Sequence, residues 1–155
     1  DEIVDYTNSQ EYMTFVLGSM KYAIELPKIR EILTYPENIT TLPNVTGWVK
    51  GLINLRGEVV PILDARIRFN TGTVEYNDNT AVIAVITEDK RMIGIVVDKV
   101  DDVQRIDLSS LASVSDMGSA IPAKYLKGLV RLDNHEMLVI MDIEAVVSKS
   151  ELNQG

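Results

Sequence analysis

Hydrophobic and polar positions alternate with a period of two along much of this chain, and turn-forming residues interrupt the alternation at short intervals. The sharpest such pattern is Gly51-Leu52-Ile53-Asn54-Leu55-Arg56-Gly57-Glu58-Val59-Val60-Pro61-Ile62-Leu63-Asp64. Leu52, Ile53 and Leu55 precede Arg56-Gly57, and Val59, Val60, Ile62 and Leu63 follow it, which predicts a hairpin. Gly57 can take positive φ without a steric cost. Arg56 is then held at a tight turn. Pro61 has no N–H to give to a ladder, so its strand is expected to be an edge or to be bulged there. An edge strand with a fixed cation is a place for a partner to dock; the plainer reading is an ordinary hairpin with a surface Arg.

Either side of this hairpin the pattern is also strand-like. Residues 1–11 read as a loose leader, 12–17 as a strand, Gly18-Ser19 as its turn and 20–26 as a second strand with Tyr22, Ile24 and Leu26 on one face. In the next extended piece Ile29, Glu31 and Leu33 share one parity and Arg30 and Ile32 the other. Residues 45–50 are expected to form one helical turn with Trp48 facing the core. Asp64 can cap a short helix over 65–69. Residues 70–79 are polar and form the midpoint loop. Strands are expected over 80–87, 91–98 and 100–106, followed by an irregular connection over 107–123. A second hairpin follows, over 125–132 and 136–141, turning at Asp133-Asn134. Asp142 can cap a final helix from Ile143 to about Leu152.

The second half echoes the first. Residues 22–32 lie over 93–103, and Trp48-Val49-Lys50-Gly51-Leu52 lies over Tyr125-Leu126-Lys127-Gly128-Leu129. With one residue inserted in the second turn, 59–64 lies over 137–142. Each half therefore reads as three strands, an irregular crossing, a hairpin and a short helix. About five strands per half suit a small barrel. A unit of about 60 residues buries little surface alone, so the two should share a core. The copies differ at the hairpin: Asn54, Arg56, Gly57 and Pro61 in the first, Arg131, Asp133, Asn134 and Val139 in the second. Glu31 and Arg56 are opposite in charge, while their counterparts Asp102 and Asp133 are both acids. If the copies fold alike, Glu31 can pair with Arg56. An exposed pair adds little stability, so its value would be to hold the guanidinium for a partner.

Composition narrows the function. The chain has 155 residues, 46% of them hydrophobic, and a net charge of −8. That charge argues against non-specific binding to nucleic acid or an anionic membrane. There is no Cys, which excludes disulfides, thiol catalysis and Cys-based zinc sites. No apolar run approaches the roughly 18 residues of a membrane helix. Asn38-Ile39-Thr40 and Asn44-Val45-Thr46 fit the glycosylation pattern, but with no sign of secretion they read as chance. His135 stands alone in a turn with no nucleophile at a telling spacing, and no glycine-rich phosphate loop is present. Asp101 and Asp102 point to opposite faces of a strand. Met137 and Met141 read as core. An enzyme or another ligand-binding barrel is therefore the weaker class, no metal or cofactor is expected, and a nucleic-acid barrel would want basic and aromatic residues on one face.

Gly51-Leu52-Ile53-Asn54-Leu55-Arg56-Gly57 with Pro61 and Asp64 resembles the signature of CheW-type chemotaxis coupling proteins. Lys28-Ile29-Arg30-Glu31-Ile32, Tyr76-Asn77-Asp78-Asn79-Thr80 and Gly94-Ile95-Val96-Val97-Asp98 resemble further segments of that family, in family order, from about Glu11 to Val147. The resemblance implies a mainly β fold of two packed SH3-like five-stranded barrels with short helices, one of them C-terminal. It implies a single domain over 11–147, with subdomains near 15–75 and 76–147 between which strands can cross, and flexible ends at 1–10 and 148–155. It also implies a non-catalytic cytoplasmic adaptor that joins the histidine kinase CheA, through its regulatory domain, to the tips of methyl-accepting chemoreceptors in membrane arrays. By the family pattern the receptor-facing groove comprises Ile29, Glu31, Gly51, Asn54, Arg56, Gly57, Ala81 and Val82. Ala81 stands where a larger apolar residue is frequent. Met117 is placed as a contact to the kinase's regulatory domain. The neighbouring alternative is the CheW-like domain of a CheV-type protein, which joins such a domain to a receiver.

Overall fold

The computed structural model describes residues 8–43, 45–114 and 119–152. Ten strands carry the fold: β1 (Ser9–Leu17), β2 (Met20–Glu25), β3 (Ile29–Thr34), β4 (Val49–Leu55), β5 (Glu58–Asp64), β6 (Ala81–Ile86), β7 (Met92–Val97), β8 (Lys99–Asp107), β9 (Leu126–Arg131) and β10 (Met137–Met141). Three helices of one turn or little more follow the hairpins: α1 (Ala65–Phe69), α2 (Ile143–Val146) and α3 (Lys149–Leu152). The expected class is found: mainly β, with two five-stranded sheets and short helices, one of them at the C-terminal end.

The sheets are not the two sequence halves. One has the order β8-β1-β2-β10-β9, the other β3-β6-β7-β5-β4. Each half donates its first hairpin to the other half's sheet, where it lies parallel to the fifth strand: β2 beside β10 and β7 beside β5. Parallel neighbours need such a crossover. The exchange also explains how two very small units are held together, because neither sheet is complete without the other half.

Three apolar clusters follow from this arrangement. The largest draws on both sheets and holds Phe15, Tyr22, Ile24, Ile83, Ile95 and Val139. Each sheet also encloses its own cluster: Tyr12, Ala23, Ile106 and Leu138 in one, Val60, Ile62, Val82 and Val96 in the other. Strands β2 and β6 are thus buried on both faces, and each such Ile or Leu side chain contributes about 1.5–3 kcal/mol. The pleat divides the roles in β2, with Tyr22 and Ile24 toward the shared core and Ala23 toward the sheet's own interior. Each sheet is closed by one bridge at equivalent positions of the repeat, Thr40 to Leu52 and Ala112 to Leu129.

Several local expectations are met. Asp64 caps α1 by accepting the Arg66 N–H at 3.0 Å, and Asp142 caps α2 by accepting that of Ala145 at 3.2 Å. Other expectations are corrected. Residues 45–50 form no helix; the Val49 N–H closes one turn on the Thr46 carbonyl, and β4 begins at once. Gly47 and the β-branched Val45, Thr46 and Val49 are poor helix formers. The expected leader is strand from Ser9 onward, paired with β8. The final helix is two pieces, because Arg91 takes the Val147 carbonyl at 2.8 Å and the Ser148 hydroxyl accepts the Glu151 N–H to start α3. Pro61 lies in an internal strand, not an edge. It is tolerated because pairing of β5 with β7 begins only at Ile62, so over Glu58–Pro61 the strand is paired on the β4 side alone.

The stretch expected as a loose end is held by chemistry as far as Leu152. Glu151 is buried; one carboxylate oxygen accepts from the Tyr125 hydroxyl at 2.8 Å and from Arg68 at 2.9 Å. Arg68 lies over the rings of Trp48, Phe69 and Tyr125 at 5.2–5.8 Å. The Tyr125 hydroxyl and Arg68 hold the Glu151 carboxyl below its ordinary range against its own desolvation. A depressed carboxyl pKa stabilises the fold above the unfolded value of about 4.3 and loses that contribution as pH falls through the folded one. Glu151→Gln is therefore expected to flatten the fall in urea stability between about pH 6 and pH 3. A variant with the wild-type acid slope would show that Glu151 carries none of it.

Candidate functional site

The hairpin between β4 and β5 turns on two residues, Arg56 (φ 53°) and Gly57 (φ 87°), both left-handed as a type I′ turn requires. The sequence signalled this for Gly57 and not for Arg56. A non-glycine residue there costs about 1–2 kcal/mol, so the turn is held in part by Asn54, whose side-chain oxygen accepts the Gly57 N–H at 3.0 Å. Strain of this order persists where surrounding contacts impose it, and it gathers at working surfaces.

The second contact on the turn comes from the other end of the sheet. Arg56 Nε donates to Glu31 Oε1 at 2.9 Å. β3 and β4 are the outermost strands of their sheet, so this pair spans the seam between them. The expected pairing is therefore formed. Its two members are unequal: the Glu31 side chain is 22% exposed and that of Arg56 80%. The hydrogen bond and charge of Glu31 hold the guanidinium pKa above its ordinary value. Only Nε is used by Glu31, so the outer edge of the guanidinium faces water. A planar fork fixed this way suits a carboxylate or carbonyl on an approaching partner.

β3 reaches Glu31 through a bulge. Its register with β6 runs Ile29 to Val85 and then Glu31 to Ala84, leaving Arg30 as the extra residue. Along the strand Ile29, Glu31 and Leu33 are half-buried, while Arg30, Ile32 and Thr34 are exposed. Ile29 packs against the shared core. The structure thus brings Glu31, Asn54, Arg56 and Gly57 together at one rim and places Ile29 on the strand that leads to it.

Three of the expected groove residues present no docking surface. Val82 has no exposed area and sits inside its sheet opposite Leu33. Ala81 belongs to the shared core. Gly51 is buried against the bridging segment, where an added Cβ would stand 2.2 Å from the Thr40 carbonyl oxygen. Ala81 and Val82 lie on β6, a strand covered on both faces, whereas Gly51 is the one buried residue of the outer strand β4, covered by the segment that bridges Thr40 to Leu52. Met117 lies outside the described residues.

One group escaped the sequence reading. Arg66 in α1 is 1% exposed and forks onto Asp64, with Nε and Nη2 each 3.0 Å from a carboxylate oxygen. Its Nη1 donates to Asp98 at 3.1 Å and to the Glu75 carbonyl at 2.6 Å. The Tyr76 hydroxyl donates to Asp64 at 2.9 Å, and the Tyr76 ring covers the guanidinium at 4.9 Å. Burial alone would lower the Arg66 pKa, but Asp64 and Asp98 more than offset it and raise it. The available signal was an arginine two residues beyond a capping aspartate, on a helix too short to bury it otherwise.

Among the described residues no helix is long and apolar enough to cross a membrane, and no three His, Cys, Asp or Glu side chains gather as metal ligands.

Known proteins resemble this chain in sequence and in fold. The chemotaxis protein CheW of Klebsiella aerogenes is 37% identical over 146 residues, which is 94% of this chain and 86% of that protein. CheW of Thermotoga maritima is 26% identical, over 99% of this chain and 97% of its own. The crystal structure of the scaffolding protein TtCheW from Thermoanaerobacter tengcongensis superposes with a TM-score of 0.82 at 21% identity, over 99% of this chain and 97% of that one, and shows the same fold. The chemotaxis protein CheV3 of Helicobacter pylori is 22% identical, over 86% of this chain and 43% of its own length; the identities to the CheW proteins are higher, so the CheV alternative is not favoured. The CheW-like domain matches residues 11–151, and the chain belongs to the CheW family.

Proposed function

We propose that this protein is a non-catalytic adaptor that couples the histidine kinase CheA to the cytoplasmic tips of methyl-accepting chemoreceptors. It works in the cytoplasm and reaches the membrane arrays through those partners. The observation that carries the receptor-facing part is the Glu31–Arg56 pair on a strained two-residue turn, with the free edge of the guanidinium outward. A receptor tip is a helical hairpin, and a helix can lay an apolar stripe beside Ile29 while Arg56 takes a polar group at its edge. The kinase's regulatory domain binds a separate face. A few anchors with a polar rim are enough for a transient contact.

Two titrations test this, one with a soluble receptor-tip fragment and one with the kinase's regulatory domain. Arg56→Ala is expected to weaken the first by about tenfold or more and to leave the second unchanged, with an unaltered circular dichroism spectrum. Unchanged binding to both would remove Arg56 from the site. Failure of the wild type to bind either fragment would overturn the adaptor reading.

A further inference from the structure

The exchange of strands leaves the chain two crossings between sheets. It passes from β2 to β3 through the turn at 26–28, and from β7 to β8 at Asp98. Each crossing is gripped by a charged residue two places beyond a capping aspartate. In α1 this is Arg66, which donates to Asp98 at 3.1 Å. In α2 it is Glu144, which accepts from Lys28 Nζ at 2.9 Å. The repeat lays Arg66 over Glu144, and Asp98 over Pro27, the neighbour of Lys28. The clamp is kept in both halves and its charges are inverted.

The Lys28 clamp reaches further than one ion pair. The Glu144 carboxylate also accepts the backbone N–H of Glu88 at 3.1 Å, in the turn between β6 and β7, and Lys28 lies 3.4 Å from the Glu88 carboxylate. The carboxylate of Glu144, by its hydrogen bond and its charge, raises the Lys28 pKa. Three segments thus meet at the point where β3 begins. The next residue is Ile29, then the bulge at Arg30, then Glu31 on Arg56. A bulge re-aims the side chains that follow it, so the position of the chain ahead of the bulge decides where the Glu31 carboxylate stands.

We propose that Lys28 and Glu144 are a positioning pair for the receptor-facing rim, acting through β3 to set Glu31 and hence the Arg56 guanidinium. This rests on the receptor reading above. The side chains that meet the partner are then Arg56 and its neighbours, while α2, distant in sequence, holds the frame.

The test uses the full chain with Lys28→Met, Lys28→Arg, Glu144→Gln and the double variant Lys28→Met/Glu144→Gln. The side-chain amide of the Glu144→Gln variant still accepts the Glu88 N–H, so the fold is retained. Two signals are read: affinity for the receptor-tip fragment, and the Arg56 Nε–H resonance in nitrogen-15 NMR without any partner. Lys28→Met and Glu144→Gln are each expected to weaken binding by about three- to tenfold and to move the Nε–H resonance. The double variant is expected to be no worse than the weaker single one, and Lys28→Arg to remain near wild type. An unmoved Nε–H resonance in both single variants overturns the proposal, as do losses that multiply in the double variant. If the wild type does not bind the fragment, the receptor reading fails, and the Arg56 resonance alone decides the clamp.

Discussion

Arg66→Ala is expected to lower the unfolding free energy by about 3–5 kcal/mol, a large share of the 5–15 kcal/mol that keeps a domain folded. The side chain is fully buried and serves four acceptors on three segments: both oxygens of Asp64, one of Asp98 and the Glu75 carbonyl. Removing it leaves the Asp64 carboxylate, itself 0% exposed, with only the Arg66 N–H and the Tyr76 hydroxyl. An uncompensated buried charge costs more than the pair ever contributed. The loss also spreads between the sheets. The second oxygen of Asp98 accepts the Gly18 N–H at 2.7 Å, in the turn between β1 and β2, and the Asp98 N–H donates to the Val16 carbonyl of β1 on the other sheet. Arg66→Met separates volume from charge: it refills most of the space and is expected to recover little. Urea denaturation followed by fluorescence of Trp48, the single tryptophan, measures both. A Met variant as stable as wild type would show that packing, and not charge, is what Arg66 supplies.

The rim was legible in the sequence because its determinants are local or follow from the repeat. A Gly after Arg56, apolar runs on both sides and an acid at the matching position of β3 suffice to predict the turn and the Glu31–Arg56 pair. The two helix caps were legible for the same reason, since an Asp ahead of a short apolar-charged run satisfies the first free N–H groups. The burial of Ala81 and Val82 was legible too, because Ala81–Ile86 is an unbroken apolar run of the kind a strand covered on both faces shows; it was the family resemblance that placed them in the groove. Pro61 misled for a different reason: its rule concerns the ladder at one residue, and the ladder on that side begins one residue later. The exchange of hairpins was invisible to periodicity altogether. Its trace was in the charges, where Arg66 against Asp98 mirrors Glu144 against Lys28.

Gly51→Ala is expected to cost about 2–5 kcal/mol, the sum of backbone strain and overpacking. Gly51 has φ 141°, and a Cβ there would stand 2.2 Å from the Thr40 carbonyl oxygen and 2.7 Å from Ile39 Cγ2. The obstacle is backbone that cannot turn aside, because Thr40 and Leu52 exchange two hydrogen bonds of 2.9 Å that close the sheet. Relief therefore requires the bridge to open, which would unlatch β4 and loosen the hairpin that carries Arg56. The repeat supplies the controls. At Gly128 the same Cβ meets the Ala112 carbonyl at 2.9 Å, without a positive φ, so Gly128→Ala is expected to cost about 1–2 kcal/mol. At Gly57 the space is open and only the φ of 87° opposes a side chain, which is about 1–2 kcal/mol. Urea midpoints for the three variants, with amide exchange at Thr40 and Leu52, decide the matter. Fast exchange at both amides in Gly51→Ala alone is the expected result; a Gly51 variant no less stable than the Gly57 one would show that the bridge yields freely and does not fix the rim.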